Sequence, residues 1–444
     1  MVRIIGLKQL KVLHILQNYE PSKGGTQFLF KNVSEILVQE YKDEVTVFTT
    51  NSEYDPSSND FLKIDNRKES INGVNVVRFS FNRSLRPFLK LVKRSLRFLF
   101  NFYSNFLDLL IVGPNSISLF YNLLFYKGDV ICGSSSAYSF MSYPTIKILG
   151  IKKIPFVFMG AIHFDNEETI QLNPYIVKRI NQSQKYIANT NFEKKCLISL
   201  GVNEKKINVI GCGVSLEKFG KTSKMKAREF LNLPNDSFVI GYVGRFAYNK
   251  GIGTLIEAFD LFNKPNSLLV LAGGKNDYLF QLKEIVRFKY PHLEDKICFI
   301  VNFDEETKER IYSSFDIFVT ASTSESFGIV FLEAWASRKP VIGADIGAIR
   351  SVISDKKDGL LFEKKSSFDL STKFSTYYNN PKLRIDHANA GIEKVNQYYT
   401  WNIIAEKYRN TYLEAILTTS KSNFTDKYKK TNLSFITYEN SEQN

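Results

Sequence analysis

The sequence predicts an α/β protein with two mostly parallel β-sheets. Short apolar runs rich in Val, Ile and Phe alternate with longer amphipathic stretches, which is typical of alternating strands and helices. This alternation occurs once before and once after a glycine-rich segment at residues 211–214. A chain of 444 residues also exceeds the size of most single cores, so two domains are expected.

Composition limits the classes of protein to consider. The apolar fraction is 44% and the aromatic fraction 14%, enough for two real cores. The four cysteines form no CxxC pair, which disfavours a disulfide framework or a cysteine zinc site and favours a reducing compartment. Charges interrupt every apolar run near the N-terminus, and no window has the roughly 18–20 apolar residues of a membrane span. We therefore expect a cytoplasmic protein.

The net charge of +14 is unevenly distributed. Residues 1–218 contain 28 basic and 18 acidic residues, whereas residues 219–444 contain 31 and 27. Most of the positive field thus belongs to the first half. Such a field attracts anionic partners, which include a membrane surface, a nucleic acid or a phosphorylated substrate.

The first half opens with a predicted strand at residues 11–16 and a helix at 26–40, joined by a turn that contains Gly24 and Gly25. Strand, glycine turn and helix begin a Rossmann-like unit, in which backbone N–H groups approach an anion. An ordinary tight turn explains the pair equally well, and the dinucleotide fingerprint GxGxxG is absent. Further strands are predicted at residues 45–50, 74–79, 129–132, 155–159, 186–189 and 206–211.

Residues 81–126 do not follow this alternation of strands and helices. Between 83 and 97, six basic residues interleave with leucines and phenylalanines at helical spacing. An apolar stretch follows, interrupted by Asp108 and by Gly113-Pro114. The pattern predicts a basic amphipathic helix that lies on a membrane surface, or equally a helix with one solvated face and one face in the core.

A histidine, His163, follows the strand at 155–159, and the carboxylate of Asp165 is close to it in sequence. Ligands of α/β sheets bind at the carboxyl ends of strands. A lone histidine is more often a structural hydrogen-bonding group, so both interpretations stay open at this point.

The second half begins with a strand at 238–244, then Arg245, Lys250-Gly251 and a helix at 252–262. Glycines allow close approach of the backbone, a helix N-terminus favours anions, and the two cations neutralise charge. This combination predicts a diphosphate site, although a surface Arg/Lys pair is the alternative. Later strands are predicted at residues 268–271, 297–301, 341–342 and 360–362, with a final helix at 401–417 and a disordered tail at 419–444.

Residues 316–340 contain two carboxylates eight positions apart. A strand at 317–319 leads through a polar loop into a predicted helix whose apolar face includes Phe327, Phe331 and Trp335. Glu325 and Glu333 bracket the start of that helix. A helix rises about 12 Å over eight residues, more than the roughly 5–9.5 Å between the carboxylates of glycoside hydrolases. If both acids are helical, they do not form a hydrolase pair.

Taken together, these features resemble retaining glycosyltransferase family 4. The matching features, in chain order, are Gly24-Gly25, His163, Gly213-Val214 with Phe219, VGRF at 243–246 with Lys250-Gly251, Glu325 and Glu333 with Ser326-Phe327-Gly328 between them, Gly347, and GLLF at 359–362. The resemblance covers most of the chain and is weak at residues 50–130.

The resemblance implies the GT-B fold, in which two Rossmann-like domains face each other across a cleft. The acceptor-binding domain would comprise residues 1–215, with a helix at 400–418 crossing back onto it. The donor-binding domain would comprise residues 216–399. The implied reaction is metal-independent transfer of a hexose-type sugar, with retention, from a UDP- or GDP-sugar to a glycan or lipid-linked acceptor in cell-surface polysaccharide or glycolipid synthesis. No cofactor and no nucleic acid are implied.

The family also implies roles for individual residues. Arg245 and Lys250 would bind the donor diphosphate, Glu325 the sugar ring, and Glu333 the ribose. His163 would orient the transferred sugar. Catalytic roles are therefore expected for Arg245, Lys250, Glu325 and His163. Further donor contacts are expected from Gly24, Gly25, Gly244, Ser326, Phe327, Gly328, Ile329 and Val330.

The sequence departs from the family pattern at two places. The linker is Cys212-Gly213-Val214-Ser215 where the family usually has Asn-Gly-Val-Asp, and Asn302-Phe303 replaces a common glycine near the donor base. A sugar-nucleotide epimerase of the same fold and a basic polyanion-binding protein are the alternative functions. If the enzyme acts on a lipid-linked acceptor, we expect it at the inner face of the plasma membrane, through residues 83–97.

Overall fold

The computed structural model describes residues 9–22, 24–53, 62–81, 85–100, 107, 111, 116–134, 153–164 and 174–420. It contains two β-sheets with helices, as the sequence predicts. One sheet is built from strands before residue 210, and the other from strands after residue 237.

The first sheet has eight strands in the order β3-β4-β2-β1-β5-β6-β7-β8. The strands are β1 (Lys11–Ile15), β2 (Glu44–Thr50), β3 (Lys68–Ile71), β4 (Val74–Phe79), β5 (Val130–Gly133), β6 (Phe156–Met159), β7 (Lys185–Ala188) and β8 (Ile207–Val209). All pair in parallel except β3, which is antiparallel to β4. Strand β3 was not predicted from the sequence, because its residues, KESI, lack a clear apolar alternation.

The second sheet has six parallel strands in the order β11-β10-β9-β12-β13-β14. The strands are β9 (Phe238–Val243), β10 (Ser267–Gly273), β11 (Ile297–Val301), β12 (Ile317–Thr320), β13 (Val341–Ala344) and β14 (Gly359–Phe362). Every residue of β9, β12, β13 and β14 is buried. Burial of both faces is what a parallel sheet covered by helices requires, and it explains the continuous apolar runs in the sequence.

The described helices connect these strands. They are α1 (Gly25–Gln39), α2 (Leu85–Phe100), α3 (Ile117–Phe125), α4 (Pro174–Gln182), α5 (Asn191–Ser199), α6 (Lys224–Phe230), α7 (Ile252–Phe262), α8 (Asp277–Lys289), α9 (Glu305–Ser314), α10 (Ile329–Ala336), α11 (Gly347–Arg350), α12 (Ser367–Asn379), α13 (Pro381–Tyr398) and α14 (Trp401–Ser420). In the part of the chain that the structure describes, no helix is both long and apolar enough to span a bilayer.

The last helix, α14, returns to the first domain as expected. Arg409 forms a buried ion pair with Asp43, with nitrogen–oxygen distances of 2.8 and 3.1 Å. The hydroxyl of Tyr412 lies 2.9 Å from Nε2 of His14 on β1. At the start of α14 the Trp401 ring packs edge-on against Phe28 of α1, with ring centroids 5.4 Å apart. These contacts fix α14 to the first domain.

Some predictions need correction or lie outside the described residues. The helix after β12 begins at Ile329, later than predicted, so Glu325 lies in the preceding loop and only Glu333 is helical. The reason is Gly328, whose φ of +92° is left-handed and ends the loop just before the helix. Asp108, Gly113-Pro114, Asp165 and residues 421–444 of the predicted tail lie outside the described residues.

Candidate functional site

Two loops meet at the carboxyl edge of the second sheet. Strand β9 ends at Val243 and leads to Arg245 and Lys250, while β12, which pairs with β9, leads into the loop at 321–328. Gly251 has a φ of +66°, and a Cβ atom there would lie 2.1 Å from the carbonyl oxygen of Ala321. Glycine is therefore required for the two loops to approach. The backbone N–H of Thr323 completes the contact by donating to the carbonyl of Asn249 at 2.8 Å.

This approach brings together a cation and a carboxylate that are 75 residues apart in the sequence. Lys250 forms an ion pair with Glu325, and both side chains are mostly buried. The hydroxyl of Ser322 also donates to Oε1 of Glu325 at 3.1 Å. Glu325 is thus held in a fixed position at the site. Because water is largely excluded, each charge depends on the other more than in an exposed pair.

Arg245 differs from Lys250. Its side chain is exposed, and no ion pair joins it to any other described residue. Its backbone is fixed, since the hydroxyl of Tyr242 donates to the Arg245 carbonyl at 2.8 Å. With Lys250 compensated by Glu325, Arg245 leaves one uncompensated positive charge in this region. A planar guanidinium in this state is suited to an anionic oxygen pair of a ligand.

The second acid, Glu333, is buried on α10, away from the loop of Glu325. Tyr312 donates its hydroxyl to Oε2 of Glu333 at 2.8 Å, and Lys308 pairs with Oε1. Burial lowers the pKa of Lys308, but the attraction of Glu333 outweighs it, so the pKa is raised. Lys308 and Tyr312 were not predicted from the sequence, because nothing in their spacing distinguishes them from other residues of α9.

The two acids therefore have separate environments. Helical rise does not separate them, because Glu325 is not in the helix. Their partners do: Glu325 pairs with Lys250 at the sheet edge, whereas Glu333 pairs with Lys308 and is only 2% exposed. A glycoside hydrolase needs both carboxyl groups to flank one glycosidic bond. Here each carboxylate is already paired with a lysine of its own, so the two do not form such a catalytic pair.

The residues between the two acids form the start of α10. Ser326, Ile329 and Val330 are half-buried. The side chain of Phe327 is buried and packs on Tyr399 near the interdomain linker, with ring centroids 5.7 Å apart. The ring also occupies the space where a side chain at Gly211 would lie. The ring of Phe327 is therefore occupied in packing, which leaves only its backbone for the donor contact that the family resemblance implies.

On the first domain, Gly24 and Gly25 lie at the N-terminus of α1 and are exposed. A Cβ atom built at Gly25 meets no other atom within 4 Å. The chain itself therefore has no steric need for glycine at this position, and the space before the helix is open. Helix α1 has no side-chain cap, so its first N–H groups are available to an anion.

His163 is one of the places at which the first domain contacts the second. It follows β6 and is exposed between the buried side chains of Ile162 and Phe164. Its Nδ1 atom lies 3.4 Å from the hydroxyl of Ser324, in the loop that also carries Glu325. The structure thus brings His163, Glu325 and Lys250 to one region. Ser324 was not predicted, since the sequence shows it only as one of several small polar residues.

Part of the chain matches a known family. Residues 223–394 match the family model described as glycosyl transferases group 1. This match covers the second sheet and the loops that carry Arg245, Lys250, Glu325 and Glu333.

The chain is also similar in sequence to curated proteins. The chain is 30% identical over 239 residues to the capsular polysaccharide biosynthesis glycosyltransferase CapM of Staphylococcus aureus, covering 50% of this chain and 59% of CapM. It spans less than two thirds of the length of the curated relatives it matches first.

The fold is shared over nearly the whole chain. Sucrose-phosphate synthase from Thermosynechococcus elongatus superposes with a TM-score of 0.69 at 20% identity, covering 93% of this chain and all of that one. Anabaena HepE, solved in complex with UDP-glucose, superposes with a TM-score of 0.65 at 17% identity, covering 91% of this chain and 99% of that one. These likenesses confirm the expected GT-B fold.

Proposed function

We propose that this protein is a member of glycosyl transferases group 1 that moves a hexose-type sugar from a nucleoside-diphosphate sugar to a glycan or lipid-linked acceptor. The observation that carries the proposal is the pair of loops after β9 and β12. They hold the Lys250–Glu325 pair on the loop that leads into α10, and they leave Arg245 exposed, with no ion pair to any other described residue. The open N-terminus of α1 and His163 belong to the facing domain.

The chemical need of a diphosphate leaving group explains these residues. Negative charge develops on the phosphate oxygen as the bond to the anomeric carbon breaks, and fixed cations stabilise it. Arg245 and Lys250 supply these cations, and the backbone N–H groups at residues 328–330 supply donors at a helix N-terminus. Together they perform the task that a metal ion performs in other transferases, which makes the proposed reaction independent of a metal.

Glu325, freed in part from Lys250 when phosphate binds, accepts hydrogen bonds from the sugar hydroxyls. Glu333 binds the ribose hydroxyls through the lone pairs that Tyr312 and Lys308 leave available. The acceptor oxygen forms the new bond on the face from which the phosphate departs, and its proton passes to the leaving phosphate oxygen. Retention of configuration follows. His163 orients the sugar during this step.

The proposed donor is a UDP-sugar. HepE, which has the same fold, was solved in complex with UDP-glucose, so a UDP-sugar is the first donor to test. The residues near the base differ from the family pattern: Asn302 has a φ of +55° and its side chain accepts from the backbone N–H of Lys275 at 2.9 Å. A GDP-sugar is the alternative donor to test.

The proposed acceptor is attached to a membrane, and α2 carries this part of the proposal. Its side chains Phe88, Leu91, Phe98 and Leu99 are 61–87% exposed. At about 100° per residue these four lie on one face of the helix, and Lys90, Arg94 and Arg97 lie on the adjacent arc. No described side chain of α2 is fully buried, which argues against the core interpretation.

A second helix of the same domain, α3, buries Leu119 and Leu123 and leaves Ile117, Tyr121 and Phe125 exposed. Exposed apolar side chains beside cations are suited to an anionic lipid surface, where the cations bind head groups and the apolar side chains enter the interface. We infer that the first domain docks on such a surface, which places the acceptor near the cleft.

The experiment is a turnover assay with UDP- and GDP-sugars in the presence of EDTA, followed by NMR of the anomeric proton. Transfer or slow hydrolysis with retained configuration supports the proposal. Interconversion of the sugar nucleotide without release of UDP or GDP would instead identify the epimerase. Salt-sensitive binding of polyanions, with no binding of any sugar nucleotide, would identify the polyanion-binding alternative.

A further inference from the structure

A buried carboxyl group, Glu193, supports the loop that carries His163. Glu193 lies in the first turn of α5, after β7, and is 1% exposed. Part of its environment is ordinary helix capping, because its N–H donates to the hydroxyl of Thr190 at 3.1 Å. Its side chain has other partners, and these connect β7 to the loop after β6.

Three donors converge on the Glu193 carboxylate. The hydroxyl of Tyr186 donates to Oε1 at 2.6 Å, and the backbone N–H of Asn189 donates to Oε2 at 2.7 Å. The third is the backbone N–H of Ile162, which approaches Oε1 at 3.5 Å. Ile162 immediately precedes His163. The carboxylate therefore joins the end of β7 directly to the loop on which His163 is exposed.

The loop is shaped around this carboxylate. A Cβ atom at Gly160 would lie 2.0 Å from Oε1 of Glu193 and 2.4 Å from the hydroxyl of Tyr186. Ala161 has a φ of +73°, a left-handed conformation that costs energy for a residue with a side chain. Close approach and strain at successive residues need a fixed partner, and Glu193 is that partner.

We propose that Glu193 is a positioning residue that sets the place of His163 against Ser324 of the facing domain, and thereby the orientation of the transferred sugar. The effect on the structure of the His163 loop is independent of the reaction. The effect on turnover rests on the glycosyltransferase function proposed above.

Because Glu193 can gain or lose a proton, its support of the His163 loop should depend on pH. Burial raises the pKa of Glu193 to about 7, although the hydrogen bonds from Tyr186 and the backbone favour the ionised form. The titratable groups that interact with it are Tyr186 on β7, Cys212 in the linker and Tyr408 on α14. Burial raises the pKa of Cys212 to about 12 and that of Tyr408 well above its usual value, so both are neutral at pH 7.

The hydrogen-bond donors around Glu193 determine the direction in which turnover changes with pH. Above pH 7 the ionised carboxylate accepts all three hydrogen bonds and holds the loop. Below pH 7 the Glu193 carboxyl group gains a proton, and its O–H becomes a hydrogen-bond donor. The groups around it are donors as well, so the protonated form loses at least one of these hydrogen bonds. Turnover is therefore expected to fall as the pH decreases through about 7. In Tyr186→Phe the ionised form loses a hydrogen bond, so the fall should move to higher pH.

The test compares Glu193→Gln with Glu204→Gln, a control whose side chain is 63% exposed. The first readout is the NMR signal of the His163 imidazole, assigned with His163→Gln, in wild type and variants. We expect the signal to shift in Glu193→Gln and Tyr186→Phe and to stay unchanged in Glu204→Gln. An unchanged His163 signal in folded Glu193→Gln would overturn the proposal, whatever the enzyme does.

The second readout is turnover. In Glu193→Gln we expect kcat to fall about tenfold, donor affinity to stay within about twofold, and the inflection near pH 7 to disappear. With His163 already replaced by Gln, the same change should have little further effect. If Glu193→Gln lowered kcat equally in the wild type and in His163→Gln, the result would contradict the proposal.

If wild type turns over no sugar nucleotide, the proposed function fails, while the NMR result still decides the role of Glu193. If Glu193→Gln does not fold, Tyr186→Phe provides both readouts.

Discussion

The two edges of the cleft are built differently. On the second domain, short loops bring Lys250 and Glu325 into an ion pair, and Arg245 is exposed on the same loop as Lys250. On the first domain, the described part of the edge includes an open helix N-terminus at Gly25 and the exposed His163, and α2 displays charge and apolar surface. The proposed donor edge, on the second domain, has fixed ion pairs, whereas the proposed acceptor edge, on the first domain, has an exposed surface.

The difference fits the ligand that each edge would recognise in the proposed reaction. A nucleoside diphosphate has the same charge and shape in every turnover, so a rigid site with fixed partners suits it. A glycan or lipid-linked acceptor is large and presented at a surface, where a broad basic and apolar face is more useful. Perturbing the donor edge should therefore abolish the reaction, and perturbing the acceptor edge should reduce encounter with the acceptor.

Arg245→Ala should have the largest effect. It removes the uncompensated cation from the leaving group, and loss of such a group typically costs about 100–1000-fold in rate. The measurement is kcat/KM for the donor sugar, with Arg287→Ala on the exposed surface of α8 as the matched control. Activity of Arg245→Ala close to that of the control would show that the diphosphate binds elsewhere.

Lys250→Ala and Glu325→Gln test whether the ion pair acts as a unit. Each single change leaves a partner unpaired in a mostly buried position, so each should reduce kcat by about tenfold or more. The double variant should lose less than the product of the two single losses, because the residues share one interaction. Strict additivity in kcat would mean that the two residues act independently.

Gly251→Ala tests the approach of the two donor loops. Its φ of +66° and the carbonyl of Ala321 leave no room for a methyl group. We expect the melting temperature to fall by several degrees, since a left-handed alanine alone costs roughly 1–2 kcal/mol. In Gly253→Ala, a helical position with no atom within 4 Å of the new Cβ, the melting temperature should stay level or rise. Equal melting temperatures for the two variants would refute the proposed loop contact.

The smallest effect is expected at the acceptor edge. Arg94→Ser should weaken binding to vesicles containing anionic lipid about fivefold, because one cation near the surface contributes about 1 kcal/mol. Cosedimentation measures this, with Lys226→Ser on the second domain as the control. Turnover of a soluble acceptor should not change. Unaltered vesicle binding would show that α2 is not the docking surface.

The sequence predicted the donor edge more fully than the acceptor edge, for physical reasons. Local patterns fix parallel strands and the residues that follow them, so the sequence alone predicts that Arg245, Lys250 and Glu325 follow buried strands. Pairings across the chain have no local signature. Lys308 on Glu333, Ser324 beside His163, and Glu193 beneath the His163 loop became visible only when packing brought distant segments together.

At the start of α10 the sequence predicted a feature that the structure does not have. The apolar spacing from Phe327 to Trp335 fits a helix, but the left-handed Gly328 delays its start to Ile329, and Phe327 packs on the linker instead. Periodicity alone does not distinguish a helical residue from a buried loop residue that happens to be in phase. The two acids are indeed separate, but their different partners separate them, and helical rise does not.

Calorimetric titration of UDP into wild type and Arg245→Ala, in buffer containing EDTA, tests the central claim most directly. We predict that wild type binds UDP without added metal, that Arg245→Ala binds at least tenfold more weakly, and that added Mg²⁺ does not restore the loss. Equal affinity of the two proteins for UDP, or binding by wild type only when Mg²⁺ is present, would contradict a metal-independent diphosphate site built around Arg245.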